Sequence, residues 1–159
     1  MPGSRITDQQ DRRVFFQAQV LFWMLCATDG HAKKFSLFIR PGGRYQLTPL
    51  YDVLSAYPML GEGPSKISPH KAKLAMAVRN KNAHWRMLGI LRRHWLELGT
   101  GHGVVTADGR PAIAVLDDLV ARTPEALAQV RVRLLWGTPQ RKATARELFS
   151  AQTVQRLFG

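Results

Sequence analysis

Between Val14 and Ala27 the chain carries apolar side chains on almost every face that a helix can present. Val14, Phe15, Val20, Leu21, Phe22, Met24 and Leu25 do not keep to one stripe, so a helix built from them has to be packed on all sides. The remaining elements must then wrap around it. Thr7 or Asp8 offers an N-cap. The helix is expected to run to about Cys26 and to stop at Thr28-Asp29-Gly30, where glycine permits a left-handed turn. The run contains Gln17 and Gln19 and is too short and polar to span a bilayer. It lacks the small-residue cleavage site of a secretory signal. In a chain of 159 residues, 45% of them hydrophobic, this material suffices for one domain over 1–159 with a frayed start over 1–10. The single cysteine, Cys26, has no internal partner, and without an export signal the expected setting is the cytoplasm, with no membrane partner.

Past the helix, Phe35-Ser36-Leu37-Phe38-Ile39 alternates as a strand, Pro41-Gly42-Gly43-Arg44 turns, and Tyr45 to Pro49 returns. This hairpin brings the residues before its first strand close to those after its second. Asp29, Lys33, Lys34 and Asp52 are therefore expected to meet at one end of it. Ser55 to Pro69 reads as loop, interrupted by Pro58, Gly61, Gly63 and Pro64. Lys73 to Val78 reads as a short strand or extended segment. Trp85, Leu88, Leu91, Trp95 and Leu98 recur at helical spacing and predict a helix from about Ala83 to Leu98, capped by Asn80 or Asn82. Gly99, Gly101 and Gly103 read as a hinge. Further helices are expected over Ala112–Arg122, over Pro124–Trp136 with the proline in its first turn, and over Thr144–Phe158.

Lys and Arg together number 23 against 11 Asp and Glu, a net charge of +12. The excess is uneven: from Gly63 to Leu96 there is no acidic residue, while Lys66, Lys71, Lys73, Arg79, Lys81, Arg86, Arg92 and Arg93 all fall there. Such a field attracts polyanions, nucleic acid or an acidic partner. It can equally be a solvated basic face.

The residues that can carry chemistry lie around the hairpin. Asp29 can accept a hydrogen bond from a substrate hydroxyl and align it with a transferring phosphate, or it can close an Asx-turn before Gly30. Asp52, between Tyr51 and Val53, reads as a buried carboxylate in need of a partner. Mg²⁺ prefers oxygen ligands and would serve; the alternative is a cap for a short helix over Val53–Ala56. Lys33 and Lys34 can neutralise a phosphoryl group, and Lys34 can also be an edge-strand charge. His31 can donate to a backbone carbonyl and hold the loop. The histidines show no zinc spacing. Gly99-Thr100-Gly101-His102-Gly103 has the composition but not the spacing of a phosphate loop.

Asp29-Gly30-His31-Ala32-Lys33-Lys34-Phe35-Ser36, followed by Leu47-Thr48-Pro49-Leu50-Tyr51-Asp52-Val53-Leu54-Ser55, closely resembles the C-terminal part of the HipA family. These are bacterial serine/threonine protein kinases that act as toxins of type II toxin–antitoxin systems. Lys73-Leu74-Ala75-Met76 and Arg93-His94-Trp95 also look like family positions, so the resemblance covers about residues 14–136. The family loop reads D-G-H-x-K-N. The resemblance implies Asp29 as catalytic base, Lys33 as the loop lysine, Asp52 as the Mg²⁺-binding aspartate, and His31 and Asp52 beside the nucleotide. ATP and Mg²⁺ are the implied cofactors. Lys34 stands where the family has an asparagine that binds the second metal, and a charged lysine offers no lone pair.

With the reading of the residues, the resemblance implies a mainly α fold with one β-hairpin, a helical domain like a kinase C-lobe with the N-lobe absent. Family members carry an N-terminal half that cradles the ATP phosphates, and residues 1–28 give room for one helix only. The expectation is a truncated or split kinase, little active alone. Its expected partners are a HipB-like antitoxin, a separate N-terminal kinase half, or both, with DNA within the antitoxin complex as a further candidate. The competing expectation is a non-catalytic remnant that binds antitoxin or DNA through Lys71, Lys73, Arg79, Arg92 and Arg93.

Overall fold

A computed structural model describes residues 5–135. Helix α1 (Arg5–Met24) leads to a hairpin of β1 (Leu37–Arg40) and β2 (Arg44–Leu47). A second hairpin of β3 (Lys73–Arg79) and β4 (Ala83–Arg86) follows a long irregular stretch, and then come helices α2 (Arg92–Gly101) and α3 (Ala112–Leu135). Each pair of strands is an antiparallel two-stranded sheet. The fold is thus mixed α/β, which corrects the expectation of a mainly α domain with one hairpin. Helix α1 is already formed at Arg5, so Asp8 lies in its first turn and is not its N-cap. No helix among the described residues is long and apolar enough to cross a membrane.

The apolar run of α1 is enclosed from Phe16 onward, whereas Phe15 is exposed and Val14, Leu21 and Leu25 are half-buried, so the expected covering on all sides is incomplete at the start of the run. Phe16, Ala18, Val20, Phe22, Trp23 and Met24 are all buried, and they contact neighbours around the helix. Trp95 of α2 is fully buried, its ring edge-on to Phe16 at 6.1 Å and tilted against Trp23 at 6.0 Å. Leu74 and Val78 face inward from β3, and Val115 and Leu116 from α3. The Trp23 Nε1 proton is donated to the Met87 carbonyl at 3.0 Å, which satisfies the one polar atom of that ring.

The expected helix over Ala83–Leu98 is three elements. Asn80 and Asn82 do not cap it. They make the tight turn of the second hairpin, Asn82 N–H donating to Asn80 Oδ1 and Asn80 N–H to the Asn82 carbonyl, each at 2.9 Å. Ala83–Arg86 then pairs with β3, with Ala83 opposite Arg79 and Arg86 opposite Lys73. A short 3₁₀ turn, Met87–Gly89, drops Met87 and Ile90 into the core before α2 begins. The helical spacing of Trp85, Leu88 and Leu91 is coincidental: all three are substantially exposed, while Trp95 belongs to α2. Ala112–Arg122 and the segment after Pro124 are one continuous helix with the proline inside it. A proline suits a first turn but is also borne at a cost within a helix, and periodicity does not separate the two. Trp136 and the helix expected over Thr144–Phe158 lie outside the described residues.

The glycines at the C-terminal end of α2 are not a hinge. Gly99 and Gly101 are helical, and of the three only Gly103 has a positive φ, +61°. Gly99 is buried where α1, α2 and α3 converge: a Cβ there would lie 2.7 Å from Ala112 Cβ and 3.2 Å from the Phe16 ring. A Cβ on Gly101 would meet nothing within 4 Å. Alanine gains up to about 1 kcal/mol of helix propensity over glycine, but overpacking costs about 1–3 kcal/mol. Gly99→Ala is therefore expected to lower unfolding stability and Gly101→Ala to leave it unchanged or raise it. Chemical denaturation of the two variants checks the opposite signs.

Candidate functional site

The site is built on the way α1 ends. Cys26 N–H donates to Trp23 O at 3.1 Å and Ala27 N–H to Phe22 O at 2.7 Å, the paired bonds of a Schellman motif. The left-handed residue in that motif is Cys26, at φ +52°, and not Gly30, which has no positive φ. A left-handed conformation costs a non-glycine residue about 1–2 kcal/mol, and Cys26 takes it with its side chain buried in the core. Burial also pushes the Cys26 thiol up to about 11, so it is a neutral core group and not a nucleophile. Gly30 is small for another reason: a Cβ there would lie 2.5 Å from the Phe22 ring. The loop thus lies directly on the buried face of α1, with Gly30 over Phe22 and Phe35 edge-on to the same ring at 5.9 Å.

From Gly30 the chain passes through a single 3₁₀ turn, Ala32–Lys34, into the first hairpin. The hairpin stands out from the body, all four residues of β1 being exposed. It is anchored at its base. Leu47 N–H donates to Asp11 of α1 at 3.2 Å, and Phe35 packs on Phe15 with ring centroids 4.7 Å apart. Thr48 N–H continues the ladder to Ser36 O at 2.9 Å. The Tyr51 hydroxyl lies 2.8 Å from Ser36 Oγ and reaches the Lys33 carbonyl at 3.3 Å. This Tyr51 tie is a positioning contact with no counterpart among the sequence expectations; its only signal there is that Tyr51 adjoins Asp52.

Asp29, Lys34 and Asp52 meet as the hairpin geometry predicts. Lys34 Nζ lies 2.9 Å from Asp29 Oδ2 and also donates to the Asp52 carboxylate. His31 Nε2 lies 3.2 Å from Asp29 Oδ1, so this ring holds the carboxylate and not a backbone carbonyl. Lys33 joins through its backbone oxygen only: among the described residues no ion pair links it to either aspartate. The burial is the reverse of the expectation. The lysine is the enclosed member, its side chain 11% exposed, while Asp29 and Asp52 are 63% and 55% exposed. Asp52 does not cap a helix over Val53–Ala56; it takes a left-handed backbone at φ +52°, which aspartate tolerates better than most residues.

The hydrogen bond from Lys34 holds the Asp29 carboxyl below its usual range, helped by the charges of Lys34 and His31. The bonds to Asp52 and then Asp29 hold the Lys34 ammonium above its usual range. Carboxylate oxygens suit Mg²⁺, but an ammonium with donors only lies bonded to both of them. Among the described residues no group of three or more His, Cys, Asp or Glu is placed to hold a metal ion. With Lys34 in place, the residues do not fit Mg²⁺. The Gly99–Gly103 stretch is helix and helix end, so it is no phosphate loop either.

The basic residues fall in two settings. Lys71, Lys73, Arg79 and Arg93 are exposed, whereas Arg92 is ion-paired to Asp117 and ties α2 to α3. On the second hairpin, Lys73, His84, Trp85 and Arg86 line an open cleft of about 390 Å³. Helical spacing disguises Trp85 as a core residue in the sequence; the residue is 46% exposed beside these cations.

The ion pairs give a signed pH dependence. The Asp29 contribution is complete above its ordinary value, 3.8, and is lost as pH falls through its lowered folded value. The Lys34 contribution is complete below 10.5 and is lost as pH rises through its raised folded value. Lys34→Met is expected to lower Tm slightly, since exposed pairs are screened. The difference from wild type should be flat across neutral pH and shrink in acid below 3.8 and in alkali above 10.5. Thermal melts of both proteins across pH check it; a difference that persists unchanged in strong acid would mean that the pairs contribute nothing.

The family model for the HipA-like C-terminal domain matches residues 3–127, beginning earlier than the resemblance over 14–136 suggested. The match takes in α1, both hairpins, α2 and most of α3, and with them the whole Asp29–Lys34–Asp52 cluster. The chain belongs to the family of the HipA-like C-terminal domain.

Proposed function

We propose that this chain is the acceptor-side part of a HipA-family serine/threonine protein kinase, acting with a nucleotide-binding half and little active without it. The observation that carries the reading is the solvent-facing Asp29 carboxylate, fixed by Lys34 and His31 at the end of the hairpin. Asp29 accepts a hydrogen bond from a protein hydroxyl and aligns its oxygen with the terminal phosphate of ATP. That oxygen bonds to phosphorus, the bond to the bridging oxygen breaks, ADP leaves, and the hydroxyl proton passes to Asp29. Because Lys34 holds Asp29 below the usual carboxylate range, the aspartate is a weak base. Its contribution is orientation, with proton transfer late, which suits a loose phosphoryl-transfer transition state. The Lys34 ammonium sets positive charge beside the transferring group, and the exposed Lys33 side chain is available to the phosphate from the solvent side.

Transfer of labelled terminal phosphate from ATP to protein, measured with a co-expressed nucleotide-binding half, tests the reading. Asp29→Asn is expected to lower the rate by about 10²-fold or more. Equal rates for the variant and the wild type, or no transfer in any combination, would reject it.

A second reading is favoured by the cleft on the second hairpin. Lys73, Arg86 and the exposed Trp85 combine cations with a stacking face, the pairing that binds nucleic-acid backbones and unstacked bases. We infer that this face contacts DNA alongside a HipB-like antitoxin. Lys73→Ala and Arg86→Ala are each expected to lower the slope of log affinity against log salt by about 1. Fluorescence anisotropy across a salt series measures it, and an unchanged slope in both variants removes the reading.

A further inference from the structure

The Asp29–Asp52 pair has the donor chemistry of a hard-cation site, yet its centre is filled by a side chain of the same protein. We propose that Lys34 is a tethered cation that occupies the divalent-metal position of this site, so that the chain carries its positive charge there permanently and loads no divalent ion between Asp29 and Asp52. The inference rests on the phosphoryl-transfer reading only for why a metal would be sought here; the metal-binding arms that decide it need no phosphate transfer.

The geometry is specific. One ammonium bonds an oxygen of each carboxylate, and it does so from an enclosed position while both carboxylates face solvent. A metal ion approaching from solvent meets carboxylate oxygens already engaged from behind by three-donor nitrogen chemistry, which cannot ligate. Entry would set a divalent charge within a few ångströms of the ammonium, or would require Lys34 to break two charge-assisted bonds and leave its enclosed position.

The loop does not depend on Lys34 for its path. Tyr51 ties Lys33 and Ser36, Thr48 pairs with Ser36, and Gly30 and Phe35 rest on Phe22. Removing the ammonium should therefore leave the backbone at Asp29 and Asp52 in place and free their carboxylates to take another cation. An asparagine at position 34 is too short to reach as far as the lysine. It exchanges a donor-only group for an amide oxygen with lone pairs.

Mn²⁺ is the probe, followed by loss of the free-ion signal in electron paramagnetic resonance and by calorimetry. Wild type is expected to show no saturable site that disappears on Asp52→Ala. Lys34→Asn is expected to gain one, at least roughly tenfold tighter than any wild-type binding, and to lose it again on adding Asp52→Ala. Lys34→Gln serves as the second variant, with circular dichroism to show that each is folded. An Asp52-dependent Mn²⁺ site in wild type overturns the proposal, and this arm needs no Lys34 variant. Folded Lys34→Asn and Lys34→Gln proteins that gain no binding overturn it also. If Mn²⁺ binding appears in the variants while Asp29→Asn leaves phosphate transfer untouched, this inference stands and the kinase reading falls. If wild type shows Asp52-dependent Mn²⁺ binding together with Asp29-dependent transfer, the kinase reading stands and this inference falls.

Discussion

Helix α1 has no solvent face to spare over Phe16–Met24, and the other elements are arranged by that fact. A helix apolar all round must be covered on every side, and here α2, α3, the second hairpin and the loop after α1 share the work. Trp95 and Trp23 fill the space on one side, Phe35 and Gly30 close the other over Phe22. Because the covering loop also carries the candidate site, packing and chemistry are mechanically joined: the backbone between Asp29 and His31 is seated on the core. That seating is what allows exposed carboxylates to hold a defined position.

The end of α1 shows how this seating is achieved. A Schellman motif needs one left-handed residue, and glycine is its usual occupant. Here the position falls on Cys26, whose carbonyl also accepts from Ala56 N–H at 3.2 Å. The strained residue therefore stitches the helix end to the segment following Asp52. The glycine that sequence logic assigns to the turn is used four residues later, for close approach to Phe22. Two constraints that usually coincide in one residue are separated, and the separation brings the Asp29 loop and the Asp52 segment to the same side of the helix.

What can be read from sequence follows from how local each signal is. The first hairpin is legible because alternation, a Pro-Gly-Gly turn and the return strand lie within one short stretch, and the meeting of Asp29, Lys34 and Asp52 follows from it by geometry. The second hairpin is not legible, because Trp85, Leu88 and Leu91 fit helical spacing while leaving much of their surface exposed; only pairing with β3 decides between the two. Pro124 suggests a helix start although it lies inside α3, since a proline fits either place and the difference is set by tertiary packing. The roles of Gly30 and Gly99 are hidden too. A glycine chosen for a neighbour's ring looks the same in sequence as one chosen for its φ. For the site, residue identity is legible but the distribution of burial is not: a carboxylate among apolar neighbours suggests a buried Asp52, whereas the enclosed charge is Lys34.

That inversion decides how the cluster should be understood. Two exposed carboxylates around an enclosed ammonium form a clamp that is complete without any ligand, whereas two carboxylates around an oxygen-bearing amide would be open to a cation. The scaffold is the same in either case: the helix end, the Gly30–Phe22 contact, the Tyr51 tie and the hairpin base would all be unchanged. On the proposal made above, the difference between a structural clamp and a metal-ready site lies in one side chain, because Lys34 supplies a single fixed positive charge where Mg²⁺ would bring two with open coordination positions. A fixed charge can orient Asp29 and screen a phosphate, but it cannot bridge phosphate oxygens as a metal does. On the proposed phosphoryl-transfer reading, the Asp29 loop supplies positioning, and the electrostatic part is reduced to what one lysine can supply.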